Sequence, residues 1–184
     1  RWIKAIAARV RSNPYVKRWL ADDPLIEASI VWEMDGYLCR MRADLICPRA
    51  GIIVDLKTTT YGMTGFPYEI RRRYYDRQAY WYLKGAENVG IDCVRFVIVA
   101  AHKSRPFLIS LHEIYRDSEA YEIAGSQCER LFGVYMECMR TGQWPGYPPE
   151  PMPVMVHHRE KPEHILIGAG HGGGLDRAQH EEPF

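Results

Sequence analysis

The order of apolar and polar positions predicts helices at the two ends of the folded region and strands between them. Apolar residues recur at helical spacing from Trp2 to Val10, and a second short helix is predicted at residues 15–20. An Asp-Gly dipeptide separates two β-prone runs, residues 27–33 and 37–46. This arrangement predicts a β-hairpin.

Three further runs predict strands. The strand predicted at residues 52–57 begins with consecutive apolar residues, so both of its faces should be covered and it should be central in the sheet. Residues 93–101 and 107–114 predict another strand pair, joined by a turn at residues 103–106. Together with the helices, this order predicts an α/β core in which a central mixed β-sheet is flanked by helices.

Two longer helices complete the predicted core. One is predicted at residues 68–84, with Gly85 as its C-terminal stop, after a loop at residues 61–67 that is long enough to act as a flap. The other should be capped by Ser118 and should end before Gly142. We expect its buried side to carry these residues: Tyr121, Ala124, Cys128, Leu131 and Tyr135.

The sequence becomes rich in proline from Trp144 and rich in histidine and glycine from residue 160. We therefore expect a folded domain at residues 1–147 and a C-terminal tail at residues 148–184 that is disordered in part. The chain opens on Arg1 within a run that already predicts a helix. For this reason we expect a fragment of a longer protein, with a truncated N-terminus.

Composition narrows the function classes. Hydrophobic residues make up 47% of the chain and the formal net charge is +1, so the protein should be globular and any nucleic-acid surface must be local. The five cysteines form no CxxC pair, which argues against a disulfide scaffold, a zinc ribbon or an iron–sulfur cluster and fits a reducing cytoplasm. No apolar run is long enough to span a bilayer, so no membrane partner is expected.

Charged side chains interrupt the apolar strands at the predicted centre of the sheet. Asp55 and Lys57 are two residues apart in one strand and should project from the same face, and Asp44 can reach the same place from the preceding strand. Two carboxylates and an ammonium group are costly to bury unless they bind something. The pattern therefore predicts a divalent-metal site, in preference to a structural ion pair at a sheet edge.

Carboxylate oxygens are the ligands that Mg²⁺ prefers, and Mn²⁺ can substitute for it. Such an ion polarises a phosphate and lowers the pKa of a bound water, while a lysine can orient that water or stabilise the developing charge. These are the requirements of phosphodiester hydrolysis. A two-metal version needs another carboxylate, for which Glu27 is the first candidate and Glu33 its rival.

Asp44 and the triplet Asp55-Leu56-Lys57 resemble the pattern of the PD-(D/E)XK nuclease superfamily, with Ala43 where that pattern has proline. The resemblance implies a restriction-endonuclease-like fold, catalytic roles for the three charged residues, and the backbone carbonyl of Leu56 as a further metal ligand. Gln78 and Tyr82 are similar to the Gln-xxx-Tyr element of RecB-like nucleases and should share one helix face. In that role Gln78 bonds a phosphate or a metal-bound water, and Tyr82 packs or contacts backbone.

Longer segments resemble the RecE-type exonucleases, the family of exonuclease VIII: residues 39–44, 54–59, 77–83 and 141–147. The likeness implies a Mg²⁺-dependent exonuclease that acts 5′→3′ on linear duplex DNA and gives single-stranded ends for recombination in a bacterial or phage-infected cell. It also implies a single-strand annealing protein as partner and a ring-shaped homo-oligomer. One departure is that the family's upstream histidine near the metals has no counterpart before His102.

Four arginines form a basic cluster on the helix predicted after the charged strands: Arg71, Arg72, Arg73 and Arg77. Such a cluster is often only a solvated face, but beside a phosphodiesterase site we expect it to contact DNA phosphates. Two alternatives stay open. The chain could be a catalytically silent nuclease-like module that binds DNA or a recombination protein, or it could be a structure-specific endonuclease.

Overall fold

In the computed structural model, which describes residues 2–146, a five-stranded mixed sheet forms the centre of the fold. The strands lie in chain order and are β1 (Leu25–Met34), β2 (Tyr37–Cys47), β3 (Ile52–Thr59), β4 (Arg95–His102) and β5 (Ile109–Tyr115). Strands β3 and β4 are parallel, and every other neighbouring pair is antiparallel. The predicted α/β core is confirmed, with β3 at its centre.

Five α-helices flank this sheet: α1 (Trp2–Ser12), α2 (Pro14–Leu20), α3 (Phe66–Arg72), α4 (Tyr75–Asn88) and α5 (Glu119–Thr141). The side chain of Asn13 caps α2, and Ser118 Oγ accepts from the Tyr121 amide at the start of α5. Gly142 ends α5 in the left-handed conformation, at φ 72°. The predicted cap and stop of α5 therefore agree with the structure.

The sheet separates two apolar cores. Helices α4 and α5 cover one face, where the core includes Ile53, Phe96 and Leu83. Helices α1 and α2 cover the other face, where Val54 and Trp19 are buried. Consecutive residues of β3 thus enter different cores, which explains its continuous apolar run.

The single helix predicted at residues 68–84 is wrong, because the chain breaks between α3 and α4. Tyr74 adopts a left-handed conformation, at φ 57°, that interrupts the helical hydrogen bonds. The buried carboxylate of Glu69 accepts bonds from Arg72 and Arg73 and closes the last turn of α3. No glycine or proline marks this break, so the sequence pattern did not show it.

The loop predicted at residues 61–67 is shorter than expected. A 3₁₀ turn at Met63–Gly65 leads directly into α3, which begins at Phe66. Phe66 is 1% exposed and anchors the start of this helix in the core. Burial of this ring accounts for the early helix start and leaves less free chain for a flap.

Gly85 does not end α4, which continues to Asn88. Gly85 is buried, and a Cβ atom at its position would lie 2.7 Å from the ring of Trp32. The glycine is therefore needed for close approach of the Trp32 indole to the helix. The left-handed residue beyond the helix end is Gly90, at φ 77°.

The predicted buried side of α5 is correct only for its first half. Tyr121 and Ala124 are buried and Cys128 is half-buried, whereas Leu131 and Tyr135 are each 41% exposed. The second half of α5 is covered only in part: Phe132 contacts the ring of Tyr37 at the start of β2, whereas Leu131 stays exposed. Tyr135 lies against the rings of Tyr37, Phe132 and Trp144.

Residues up to Pro145 form one compact unit. The tail predicted at residues 148–184, and the boundary after residue 147, lie outside the described residues. Within residues 2–146, no helix is long and apolar enough to cross a bilayer.

Candidate active site

Strands β2 and β3 separate at the residues that carry the two carboxylates. They pair at only three positions, the last of which joins Leu45 to Val54. The next pair in this register would be Asp44 and Asp55, but no backbone pairing forms there. Instead Asp44 Oδ2 accepts a hydrogen bond of 2.7 Å from the backbone N–H of Leu56. A side chain therefore occupies the place of a backbone acceptor where the two strands part.

The side-chain alternation of β1 and β2 also changes at this point. Ala28 and Ala43 face the α4 core, whereas Ile26 and Leu45, two residues away on their strands, face α1 and α2. A regular strand would place residues two apart on the same face. Glu27, between Ile26 and Ala28, has a positive φ of 51°. At this irregularity Asp44 reaches the Leu56 amide of β3 and also lines the cavity beneath α1 and α2.

Asp55 is almost fully buried, with 4% exposure. Its Oδ1 accepts a hydrogen bond of 2.8 Å from Gln78 Nε2, and its Oδ2 lies 2.5 Å from Lys57 Nζ. The ammonium is close enough for an ion pair, yet Oδ2 has no properly directed hydrogen-bond donor among the described residues. A buried carboxylate oxygen in this state can accept a further ligand.

The ammonium group of Lys57 is held on two sides. It pairs with Asp55, and it lies 4.8 Å from the centre of the Tyr75 ring. The Lys57 side chain is 21% exposed, so water screens its charge only in part. The prediction that Asp55 and Lys57 share a strand face is borne out by this contact.

Burial raises the pKa of Asp44, and the charge of Asp55 raises it further. The Leu56 amide opposes this by holding the pKa down, as does the charge of Lys57, while Glu27 adds to the upward shift. Two carboxylates thus repel each other across the gap between β2 and β3. A cation placed there would remove this repulsion.

The residues at this gap fit one divalent metal ion. Asp44 and Asp55 offer hard carboxylate oxygens, of which Oδ2 of Asp55 is buried without a hydrogen-bond donor. Mg²⁺ is commonly bound by one or two carboxylates and completes its shell with water and phosphate oxygens. Within residues 2–146 no set of three or more His, Cys, Asp or Glu side chains could hold a metal ion. The described carboxylates therefore fit one ion better than two.

Glu27 lies opposite Asp44 in the register of β1 and β2 but is not drawn into the gap. Its exposed carboxylate forms an ion pair with Arg42, with Glu27 Oε2 at 2.6 Å from a terminal guanidinium nitrogen. Glu33, the rival candidate, is exposed farther along β1. The structure thus brings Asp44, Asp55, Lys57 and Gln78 together, and it leaves Glu27 paired with arginine.

Gln78 and Tyr82 lie on one face of α4, as expected for residues four apart, but they contact different strands. Gln78 bonds Asp55 on β3, whereas the hydroxyl of Tyr82 donates to the backbone carbonyl of Arg42 on β2, at 2.9 Å. Tyr82 therefore contacts backbone and not a carboxylate.

The four arginines predicted to bind DNA differ in their surroundings. Arg72 and Arg73 are exposed but share the carboxylate of Glu69, which is 2% exposed because the two guanidinium groups cover it. Arg71 is exposed and has no ion-pair partner among the described residues. Arg77 is half-buried, donates to Gln127 and lies 3.9 Å from the Tyr74 ring centre. Three of the four arginines are exposed, but Glu69 neutralises part of their charge.

Three residues at the site make contacts that the sequence did not predict. Tyr75 lies beside the Lys57 ammonium, and Glu69 orients two arginines. Trp81 donates its indole N–H to the Arg40 carbonyl, at 3.4 Å. Arg72 and Arg73 follow Glu69 by three and four residues, so their ion pairs with Glu69 could have been predicted from helical spacing. No sequence pattern predicts the contact of Tyr75 with Lys57, because the position of Tyr75 depends on the helix break at Tyr74.

Comparison with known proteins places this arrangement in context. Residues 1–150 match a family model described as a PDDEXK-like domain of unknown function (DUF3799). The chain is also similar to a solved structure from Eubacterium rectale described as "Putative exonuclease", with a TM-score of 0.54 and 20% sequence identity. That match covers 81% of this chain but only 62% of the other, so the chain spans less than two thirds of its length.

A second solved structure, of the protein SSO0001, is similar at a TM-score of 0.42 and 17% identity, over 70% of this chain and 55% of that one. This similarity is too low to support an argument. No curated protein matches the chain. The family match and the Eubacterium rectale structure confirm the expected restriction-endonuclease-like fold, with its mixed sheet between helices.

Proposed function

Because the chain belongs to the PDDEXK-like family DUF3799, we propose that it is a divalent-metal-dependent DNA nuclease, and more narrowly an exonuclease. The observation that carries this proposal is the gap between β2 and β3. There the buried carboxylate of Asp55, ion-paired with Lys57 and hydrogen-bonded by Gln78, faces the strand that carries Asp44. This is the arrangement expected of a hydrolytic site for phosphodiesters.

Asp44 and Asp55 would hold Mg²⁺, with the backbone carbonyl of Leu56 as a further ligand, and Mn²⁺ can substitute. When bound, the ion polarises the scissile phosphate and lowers the pKa of the attacking water. Lys57 presents its ammonium group to the same place, fixed by Asp55 and Tyr75. In this position it can orient the water and stabilise the negative charge that develops on the phosphate.

Gln78 has a positioning role in this reaction. Its amide N–H donates to Asp55 Oδ1, which leaves Oδ2 directed at Lys57. The two oxygens of Asp55 are thus given separate partners. Glu27 enters only as a candidate for a second metal ion, and to take that role it would have to leave its ion pair with Arg42.

The arginines of α3 and α4 are the proposed contact with the DNA backbone. Arg71 has no ion-pair partner within residues 2–146, and Arg72 and Arg73 together carry one positive charge more than the Glu69 carboxylate neutralises. Phosphate contacts of this kind give affinity without sequence preference. Arg77 contributes less freely, because Gln127 and Tyr74 already hold it.

The finer features of the proposal rest on the resemblance to RecE-type exonucleases. They are 5′→3′ polarity, linear duplex DNA as substrate, and single-stranded ends as the product for recombination and repair. A single-strand annealing protein as partner, a ring-shaped homo-oligomer and action in the cytoplasm of a bacterial or phage-infected cell belong to the same part of the proposal.

The proposal is tested with linear duplex DNA labelled at either the 5′ or the 3′ end, in Mg²⁺ or in EDTA. We expect Mg²⁺-dependent release of the 5′ label before the 3′ label. Lys57→Ala should lower the cleavage rate at least about 100-fold with little change in DNA affinity, because it removes charge stabilisation at the reacting phosphate. Asp55→Asn should abolish cleavage.

Lys84→Ala is the matched control, since Lys84 is paired with Glu87 at 3.9 Å on the same helix as Gln78 and should matter little. Cleavage in EDTA, or full activity of Lys57→Ala, would contradict the proposed mechanism. Cleavage of covalently closed circular DNA would identify an endonuclease instead. Tight DNA binding without cleavage in either Mg²⁺ or Mn²⁺ would identify a silent binding module.

A further inference from the structure

Helix α4 contacts both strands at the place where they separate. We propose that α4 is a brace that sets the spacing of the two carboxylates, and that Trp81 and Tyr82 are positioning residues for Asp44. Gln78 supplies the contact to β3. The relevance of this brace to metal binding rests on the proposed nuclease function, whereas its effect on how β2 and β3 are held does not.

Strand β2 has an open edge. From Asp44 back to Tyr37, no strand within residues 2–146 pairs with the side of β2 that faces away from β1. In a strand, the backbone groups of alternate residues point to the same edge. Backbone carbonyls at such an edge bond either to water or to donors from other elements of the fold.

Residues at three alternate positions along this edge each form a hydrogen bond to a group outside the β1–β2 ladder. The Arg40 carbonyl accepts from Trp81 Nε1 at 3.4 Å, and the Arg42 carbonyl accepts from the Tyr82 hydroxyl at 2.9 Å. At the next alternate position, the Asp44 carboxylate accepts from the Leu56 N–H at 2.7 Å. These bonds replace the ladder that β3 no longer supplies.

Trp81 is itself fixed, so its bond to β2 is anchored despite its length. Its ring centre lies 5.3 Å from that of Trp32 on β1 and 6.0 Å from that of Phe132 on α5. Gly85, one turn farther along α4, allows Trp32 to lie directly against the helix. The β1–β2 hairpin therefore cannot shift along α4 without disturbing this aromatic contact.

The same helix also fixes the opposite strand. Gln78 lies one turn before Tyr82 and bonds the carboxylate of Asp55 on β3. One rigid helix thus contacts the β2 backbone two residues from Asp44 and the Asp55 side chain directly. It follows that the distance across the gap depends on α4 as well as on the short β2–β3 ladder. Mg²⁺ requires near-ideal ligand geometry, so a change in this distance should weaken its binding.

The bond between Asp44 and the Leu56 amide gives a readout that needs neither metal nor DNA. Hydrogen exchange of backbone amides is measured by NMR on the metal-free chain, comparing the wild type with Tyr82→Phe. We expect the Leu56 amide to exchange at least about tenfold faster in Tyr82→Phe, because β2 is less firmly held beside β3. Trp81→Phe should give a smaller change, since its hydrogen bond is longer.

Tyr80→Phe is the matched control. Tyr80 lies on the same helix, but its hydroxyl donates to Glu129 of α5 at 2.7 Å and does not contact β2. This variant should leave the Leu56 amide unchanged. The amides of β4, which is paired on both sides, report on the general fold. Unchanged Leu56 protection in Tyr82→Phe would overturn the proposal, as would an equal loss of protection throughout β4.

Binding of Mn²⁺ alone, followed by its electron paramagnetic resonance signal, separates this proposal from the proposed function. We expect Tyr82→Phe to weaken Mn²⁺ binding about five- to fiftyfold and Tyr80→Phe to leave it unchanged. If the Leu56 amide exchanges faster in Tyr82→Phe but the wild type does not cleave DNA, the brace is supported and the nuclease function is rejected. Wild-type cleavage together with unchanged Leu56 exchange and Mn²⁺ affinity in Tyr82→Phe would reject the brace alone.

Discussion

In the proposed site, the carboxylate of Asp44 would combine a structural and a chemical role. Its Oδ2 closes the gap in the sheet through the Leu56 amide, and Asp55 lies across the same gap. Burial and neighbouring carboxylates raise its pKa, so the folded chain holds the ionised form at a cost. Such a cost is usual at sites that bind a cation.

Replacement of Asp44 by Asn should therefore separate stability from function. An Asn oxygen can still accept from the Leu56 amide, while the repulsion from Asp55 is removed. We expect Asp44→Asn to be as stable as the wild type without metal, or more stable by up to about 1 kcal/mol. The wild type should gain about 2.7 kcal/mol at Mn²⁺ concentrations 100-fold above its Kd, and the variant should gain nothing.

Thermal unfolding in EDTA and in Mn²⁺ measures both quantities. Asp92→Asn serves as the control, because Asp92 is exposed and its ion pair with Arg116 is long, at 4.0 Å. It should change stability by less than about 0.5 kcal/mol and should keep the Mn²⁺ effect. A normal Mn²⁺ effect in Asp44→Asn would show that the ion binds elsewhere.

For single residues, the sequence predicted the position of a side chain where that position follows from the two-residue period of a strand. The spacing of Asp55 and Lys57 placed them on one strand face, and their contact bears this out. The role of Asp44 toward the Leu56 amide was not accessible, because it depends on the strand pair ending at Leu45 and Val54. The position of Glu27 was missed for a similar reason, since its positive φ changes the alternation of β1.

At the scale of elements, the helices show where local signals were sufficient. Ser118 and Gly142 fixed the ends of α5 through their own backbone conformations. The break between α3 and α4 carries no such signal, because it lies at Tyr74, a residue type that does not indicate a left-handed conformation. Gly85 was misinterpreted as a helix stop because a glycine needed for close packing and a glycine needed for a turn look the same in a sequence.

Two glycines within helices offer a direct test of this distinction. In Gly85→Ala the new Cβ would lie 2.7 Å from the Trp32 ring, so we expect a loss of about 1–3 kcal/mol in the free energy of unfolding. In Gly133→Ala nothing lies within 4 Å of the new atom, and we expect a gain of about 0.5–1 kcal/mol from helix propensity. Urea unfolding of both variants measures the difference. Equal effects of the same sign would show that Trp32 does not constrain α4.

At the scale of the whole molecule, the order of elements predicted the α/β fold because each strand and helix is consistent with its neighbours. The central place of β3 followed from its apolar run, which enters the cores on both faces of the sheet. The family match extends over residues 1–150 and agrees with this architecture. The carboxylate pair lies at one end of the short β2–β3 ladder, where the strands diverge and α4 spans the gap.

Crystals soaked in Mn²⁺ test most directly whether the gap between β2 and β3 is a divalent-metal site. We predict an anomalous-scattering peak bonded to the carboxylates of both Asp44 and Asp55, and no such peak at the same place in crystals of Asp55→Asn. Absence of the peak in the wild type at saturating Mn²⁺, or a peak only at other carboxylates such as Glu27, would contradict the account.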